Sequence, residues 1–126
     1  MCSSDLAKLT TRAARVGFDW PDAEAVLEKL DEEIGELRAE LPTGDPARLA
    51  DEVGDLLFVL ANLARKLDLD PETCLRQANL KFERRFSLVE QVIESKQLTL
   101  AETSLEQMEA AWQEVKCAEH ARLNEP

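Results

Sequence analysis

The sequence predicts an all-α fold, a bundle of four or five helices, and two patterns support that prediction. Apolar residues recur every three or four positions in five segments, and no segment alternates with a period of two. Glycine, proline or capping residues separate these segments. At 126 residues, the chain is expected to form a single domain, residues 1–126.

The first two predicted helices cover residues 5–16 and 21–41. The first carries Leu6, Leu9, Ala13 and Val16 at helical spacing and stops at Gly17. The second carries an apolar stripe, and Glu33 lies at the edge of that stripe, within reach of Lys29 one turn earlier. The stripe consists of Val26, Leu27, Leu30, Ile34, Leu37 and Leu41.

A short turn leads into the third predicted helix, residues 45–67. Pro42 ends the preceding helix, Asp45 can cap the next one, and Pro46 suits its first position. Such a short connection makes the second and third helices antiparallel neighbours. Residues 56–61 are almost all apolar, which predicts that this is the most buried helix and that a second copy of the chain covers it.

The fourth and fifth predicted helices cover residues 71–95 and 105–122. Asp70 and Pro71 form a start signal for the fourth, and Ser104 with Gln107 forms a capping box for the fifth. The side chains expected to face the core are Leu75, Ala78, Phe82, Phe86, Val89 and Ile93 in the fourth helix and Leu105, Met108, Ala111, Trp112 and Val115 in the fifth.

Composition excludes several classes of function. The net charge of −11 disfavours nucleic-acid polymers and anionic membranes as partners. Three scattered cysteines and one histidine argue against a disulfide framework, a zinc site and a histidine-dependent triad. No apolar segment approaches the roughly 20 residues that cross a bilayer, and no signal peptide is present, so we expect a soluble, cytoplasmic protein.

Two matching motifs occupy the predicted hairpin, at residues 33–37 and 52–56. Each reads acid, β-branched residue, glycine, acid, leucine. The two acids of a motif share one helix face, and both motifs lie at similar heights, roughly 8–15 Å from the turn. A glycine within a helix costs about 1 kcal/mol relative to alanine, which suggests that something approaches the backbone closely there.

Four carboxylates therefore converge, and they repel one another unless a cation lies between them. An all-oxygen set suits a hard divalent cation, Mg²⁺ or alternatively Mn²⁺. The competing interpretation is that these acids are ordinary solvated residues of amphipathic helices. The predicted metal ligands are Glu33, Glu36, Glu52 and Asp55.

Four segments together resemble a known family. They are KLDEEIGE at residues 29–36, DEVGDLLF at 51–58, NLKFERRF at 79–86 and WQEVK at 112–116. The chain from residue 13 onward resembles the MazG nucleoside triphosphate pyrophosphohydrolases, specifically the C-terminal catalytic domain of the two-domain bacterial protein. We therefore expect the N-terminal MazG domain to be absent here.

The resemblance implies Mg²⁺-dependent hydrolysis of ribo- or deoxyribonucleoside triphosphates to monophosphate and pyrophosphate, a house-cleaning activity on the nucleotide pool. It also implies a helical bundle of the all-α NTP pyrophosphatase type, a homodimer, and the same four metal ligands. Lys81 and Arg85 would hold phosphates, and Trp112 would line the nucleotide site. The full set of residues implied to contact the nucleotide is Lys29, Arg48, Asp51, Asp55, Lys81, Arg85, Trp112 and Lys116.

Several alternatives remain open at this stage. Glu32 and Glu36 are both candidates for the base that accepts a proton from the attacking water. One alternative is a pyrophosphatase whose substrate range is restricted to one nucleotide, such as a dUTPase-like or phosphoribosyl-ATP-acting relative. The chain could also be a helical nucleotide- or protein-binding module without catalysis. No residue identifies the nucleobase or the sugar of the substrate.

Overall fold

The computed structural model describes residues 4–124, with side chains from residue 7 onward, and confirms the all-α prediction. Within residues 4–124 there is no β-strand. None of the described helices is both long and apolar enough to cross a bilayer. The five helices are α1 (Ser4–Arg15), α2 (Ala23–Glu40), α3 (Pro46–Lys66), α4 (Pro71–Ser95) and α5 (Leu105–Leu123), with short 3₁₀ turns at Leu41–Thr43 and Leu100–Glu102.

Contacts divide the chain into two compact units. The first unit is Met1–Leu75 and the second unit is Arg76–Pro126, and each is described separately below. The expectation of a single domain over residues 1–126 stays a prediction.

Capping side chains set the helix starts. Helix α2 begins at Ala23, two residues later than predicted, because the Asp22 carboxylate accepts a hydrogen bond from the Ala25 N–H at 2.8 Å. Asp70 caps α4 as predicted, accepting from the Thr73 N–H at 3.2 Å. The capping box that was predicted for α5 is confirmed in both directions.

The turn between α2 and α3 forms an antiparallel hairpin. Gly44 adopts a left-handed conformation with φ of 61°, which glycine accepts without steric cost. Asp45 then caps α3, accepting from the Ala47 N–H at 3.1 Å. An ion pair of 3.8 Å between Arg48 and Glu40 joins the two helices beside the turn, so residues further from the turn face one another down the hairpin.

The core of the first unit is small. It contains Val26, Val59 and Ala61, together with the buried polar residues Thr10 and Asn62. Thr10 is buried without an unpaired hydroxyl because its Oγ1 donates to the Ala7 carbonyl at 3.0 Å.

The predicted apolar face of α1 is wrong in part. Leu9 is 56% exposed and Val16 is 84% exposed, because α1 turns Thr10 inward instead. Leu6, which was predicted on the same face, lies outside the described side chains. In α2, Val26 is buried and Leu30 and Leu37 are half-buried, whereas the remaining stripe residues Leu27, Ile34 and Leu41 are exposed.

The prediction that α3 is the most buried helix is confirmed, because its three buried residues, Val59, Ala61 and Asn62, outnumber those of any other described helix. The apolar run over residues 56–61 is nevertheless covered only in part. Leu57 and Leu60 are 56% and 45% exposed, and Phe58 is 38% exposed. Within the first unit α3 packs against α1 and α2, which cover only part of a helix that is apolar nearly all round. Side chains on its remaining surface therefore stay accessible in this chain.

The core of the second unit lies between α4 and α5. Its buried members are Val89, Ile93, Ala111 and Val115, and Trp112 packs against them. In α4, Leu75, Ala78 and Phe82 are exposed, so its predicted core face is confirmed only in the C-terminal half of the helix. In α5, Leu105 is exposed as well.

An ionic anchor holds the segment before α2 against the end of α3. Asp19 accepts hydrogen bonds from the Arg65 guanidinium and lies 2.8 Å from Lys66 Nζ, and all three side chains are about four-fifths buried. The hydrogen bond from Arg65 is the main cause that holds the pKa of Asp19 well below its ordinary value of 3.8.

We expect Asp19→Asn to lower the free energy of unfolding at pH 7 by about 1–3 kcal/mol, because two cations lose their counter-ion. Because the pKa of Asp19 is lower in the folded state than in the unfolded state, the ionised carboxylate stabilises the fold at pH values above 3.8. This stabilisation is lost as the pH falls below 3.8 towards the lower pKa of the folded state. Urea unfolding from pH 7 to pH 2 should show the difference from wild type shrinking in acid. Asp31→Asn, at an exposed site, is the control; an equal deficit at every pH would contradict this assignment.

Candidate metal centre

The hairpin of α2 and α3 brings three of the predicted carboxylates together. One oxygen from each of Glu33, Glu36 and Glu52 lies within 4.8 Å of the others. Glu33 and Glu36 share one face of α2, and Glu52 faces them from α3 because the two helices run antiparallel. These three residues are called the acidic cluster below.

Asp55, the fourth predicted ligand, is outside the acidic cluster. It lies one turn beyond Glu52 on α3 and is exposed. Its charge is nevertheless one of the causes that raise the pKa of Glu52. Its role as a ligand therefore stays a prediction.

Two oxygens of the acidic cluster are buried without a hydrogen-bond partner among the described residues. They are Oε2 of Glu33 and Oε2 of Glu52. Glu33 is only 6% exposed, and its other oxygen, Oε1, lies 3.2 Å from Lys29 Nζ. A buried carboxylate oxygen without a partner is costly, and a bound cation would satisfy both atoms.

Electrostatic repulsion is visible within the acidic cluster. The charge of Glu33 is the largest cause of a raised pKa for Glu36, and burial adds to it. For Glu52, burial is the largest cause of the raised pKa, followed by the charges of Glu36 and Asp55. Because all the donors are carboxylate oxygens, the residues fit a hard divalent cation such as Mg²⁺ or Mn²⁺.

The two glycines of the motifs face open space. A Cβ atom added at Gly35 or at Gly54 would meet nothing within 4 Å. The predicted close approach to the backbone is therefore not made by any described atom of this chain. Packing within the chain does not explain why glycine stands at these positions.

The remaining candidates of the first unit lie around the hairpin. Lys29 Nζ lies 3.2 Å from Glu33 and 3.5 Å from Glu32, which confirms the expected ion pair of Lys29 with Glu33. The hydrogen bond with Glu33 is the largest cause of the raised pKa of Lys29. Arg48 is 64% exposed and pairs with Glu40 and Asp45 near the turn. Asp51 is exposed, and its charge is a lesser cause of the raised pKa of Glu52.

The candidates of the second unit lie on α4 and α5. The Arg85 guanidinium lies 5.9 Å from the centre of the Trp112 ring, a cation–π geometry. Phe82 also contacts Trp112, with ring centres 5.7 Å apart. Lys81 is exposed on α4 and Lys116 is half-buried on α5.

Glu119 is the residue that the sequence reasoning missed. Its two carboxylate oxygens accept hydrogen bonds from Arg84 Nε at 3.3 Å and from Arg85 Nε at 2.8 Å. A signal was present, because Glu119 lies seven residues after Trp112 and so shares its face of α5. Only the packing of α4 on α5 identifies the arginines as its partners.

Comparison with known proteins gives consistent matches. The sequence profile of the MazG nucleotide pyrophosphohydrolase domain matches residues 22–89. The chain is 43% identical over 109 residues to the nucleoside triphosphate pyrophosphohydrolase/pyrophosphatase MazG of Thermotoga maritima, and 45% identical over 111 residues to the nucleoside triphosphate pyrophosphohydrolase of Escherichia coli K12.

Each of these two alignments covers 86% of this chain but only 42% of the relative, so the chain spans less than half the length of either protein. A third relative, the uncharacterized protein YabN of Bacillus subtilis, is 45% identical over 65 residues, which cover 52% of this chain and 13% of YabN.

Proposed function

Because the chain belongs to the MazG nucleotide pyrophosphohydrolase family, we propose that it hydrolyses nucleoside triphosphates, ribo or deoxyribo, to the monophosphate and pyrophosphate. The observation that carries this proposal is the acidic cluster with its two buried, unpartnered oxygens. Clearing unwanted nucleotides from the pool is the corresponding role.

Glu33, Glu36 and Glu52 would hold the divalent cation, Mg²⁺ or Mn²⁺, with Asp55 as a fourth ligand. When bound, such a cation polarises phosphoryl oxygens and lowers the pKa of a coordinated water. Glu36, whose pKa is raised mainly by the charge of Glu33, is one candidate base for the attacking water. Glu32, held by Lys29 at 3.5 Å, is the second candidate base.

The basic side chains would bind the rest of the substrate. Arg85 and Lys81 lie four residues apart on α4 and would contact phosphates, where fixed cations stabilise the charge of the departing pyrophosphate. Trp112 and Lys116 on α5 would contact the nucleotide. Lys29, Arg48 and Asp51 would contact it beside the hairpin.

Separation of products by ion-exchange chromatography over a panel of ribo- and deoxyribonucleoside triphosphates, with and without Mg²⁺, tests this function. Monophosphate and pyrophosphate in equal amounts are expected. Diphosphate and orthophosphate would contradict the reaction, and binding without turnover would indicate a non-catalytic module. Turnover of one nucleotide alone would show an enzyme whose specificity is restricted to that nucleotide.

We also propose that the protein is a homodimer. The support is the set of exposed apolar side chains on α3, including Leu57, Phe58 and Leu60, which a second copy would remove from water. Light scattering at micromolar concentration should give about twice the 14.2 kDa mass of one chain. A stable, active species of single-chain mass would contradict this.

A further inference from the structure

Glu119 joins α5 to two consecutive arginines of α4, and the two contacts differ. The Arg85 side chain is 19% exposed and Glu119 is 18% exposed, so this pair is largely shielded from water. Arg84 is 60% exposed and its Nε lies farther away, at 3.3 Å compared with 2.8 Å for Arg85. Surface ion pairs contribute little, so the contact with Arg85 is the stronger of the two.

Glu119 is ionised in this arrangement. Its pKa lies below the ordinary glutamate value, and the hydrogen bond from Arg85 is the largest cause. It therefore acts as a permanent acceptor at neutral pH and not as a group that exchanges protons with a substrate.

The contact uses only part of the Arg85 guanidinium. A guanidinium has five N–H donors, and Glu119 takes the single one on Nε. The remaining four N–H groups, on Nη1 and Nη2, make no hydrogen bond within the described part of the chain. The central carbon of the same guanidinium lies over the Trp112 ring, 5.9 Å from its centre, so Trp112 is a second contact of this group.

We propose that Glu119 is a positioning residue, which fixes Arg85 from its Nε side so that both Nη groups can bind phosphate oxygens of the substrate. This inference rests on the proposed function of the same residues. Arginine often binds phosphate through two parallel N–H···O hydrogen bonds in one plane. Because Glu119 occupies only Nε, the end of the guanidinium that carries Nη1 and Nη2 is left for such a contact. A free arginine would lose rotamer entropy on binding, and Glu119 reduces this cost.

Two effects of Glu119 have opposite signs. Its negative charge weakens the attraction of Arg85 for an anion, whereas its hydrogen bond holds the guanidinium in place. Glu119→Ala removes both effects, and Glu119→Gln keeps an acceptor oxygen while removing the charge. If positioning dominates, only the alanine variant binds phosphate more weakly.

The test is a double-mutant cycle of Glu119→Ala and Arg85→Ala, with Glu119→Gln and Arg84→Ala as the two comparisons. Binding of inorganic pyrophosphate is measured by calorimetry, kcat and KM are measured with a nucleoside triphosphate, and circular dichroism confirms the helical fold. We expect Glu119→Ala to weaken pyrophosphate binding and raise KM by about tenfold, with a smaller change in kcat. Glu119→Gln and Arg84→Ala should stay near wild type.

The cycle separates positioning from a general effect on the fold. If Glu119 acts through Arg85, Glu119→Ala causes no further loss when Arg85 is already alanine. Equal losses in both backgrounds would overturn the inference, as would unchanged or tighter binding by Glu119→Ala, or a wild type that does not bind pyrophosphate. A wild type that binds pyrophosphate and gives the expected cycle, but hydrolyses no triphosphate, would overturn the proposed function and leave the role of Glu119 standing.

Discussion

Glu52→Gln is expected to lower nucleoside triphosphate hydrolysis by at least about 100-fold while the helices persist. The substitution keeps the size of the side chain but removes the charge of one of the three acidic-cluster residues that would bind the cation together with Asp55. Turnover is measured at saturating Mg²⁺, and helix content by circular dichroism. Glu28→Gln, the same change at an exposed position of α2 outside the acidic cluster, should retain wild-type turnover.

The metal-free stability of this variant provides a second readout. Burial and neighbouring charges raise the pKa of Glu52, so its ionised form is disfavoured in the folded chain. Removing the charge should therefore leave the free energy of unfolding without metal equal to that of wild type, or higher. An unfolded Glu52→Gln chain would show that the acids hold the fold together, and the metal-site assignment would be wrong.

Removal of divalent metal is expected to abolish turnover, and Mg²⁺ is expected to restore it. Without a cation, the three carboxylates repel one another and two buried oxygens lack partners. Excess EDTA followed by a Mg²⁺ titration measures the effect on turnover. Ca²⁺, which is larger and accepts looser geometry, should bind without supporting the same rate.

The same titration should stabilise the fold. A cation that binds only the folded chain adds about 2.7 kcal/mol to the free energy of unfolding at one hundred times its dissociation constant. Glu52→Gln should gain much less, because one ligand is missing, whereas Glu28→Gln should gain as much as wild type. Full turnover in excess EDTA would refute metal dependence.

Local rules account for the parts of the structure that were predicted well. The caps at Asp45 and Asp70 and the Ser104 capping box depend only on residues a few positions apart. The meeting of Glu36 with Glu52 was also predictable, because helical rise and a short turn together set their heights on the hairpin.

The failures share one physical cause, which is that burial depends on what packs around a helix and not on the helix alone. In α1, Leu9 was expected to face the core but is exposed, and in α3 Leu57 and Leu60 are exposed although Val59 of the same apolar run is buried, because α1 and α2 cover only part of α3. Glu119 was missed for the same reason, since Arg85 reaches it from another helix, 34 residues away in sequence.

The placement of the aromatic residues gives each unit its own optical reporter. The chain has two tryptophans and no tyrosine. Trp20 lies in the first unit, where its backbone N–H donates to the Asp19 carboxylate at 2.8 Å, and Trp112 lies in the second unit against Arg85. Replacing either tryptophan with phenylalanine leaves fluorescence from one unit only, so the unfolding transitions of the two units can be compared directly in a single intact chain.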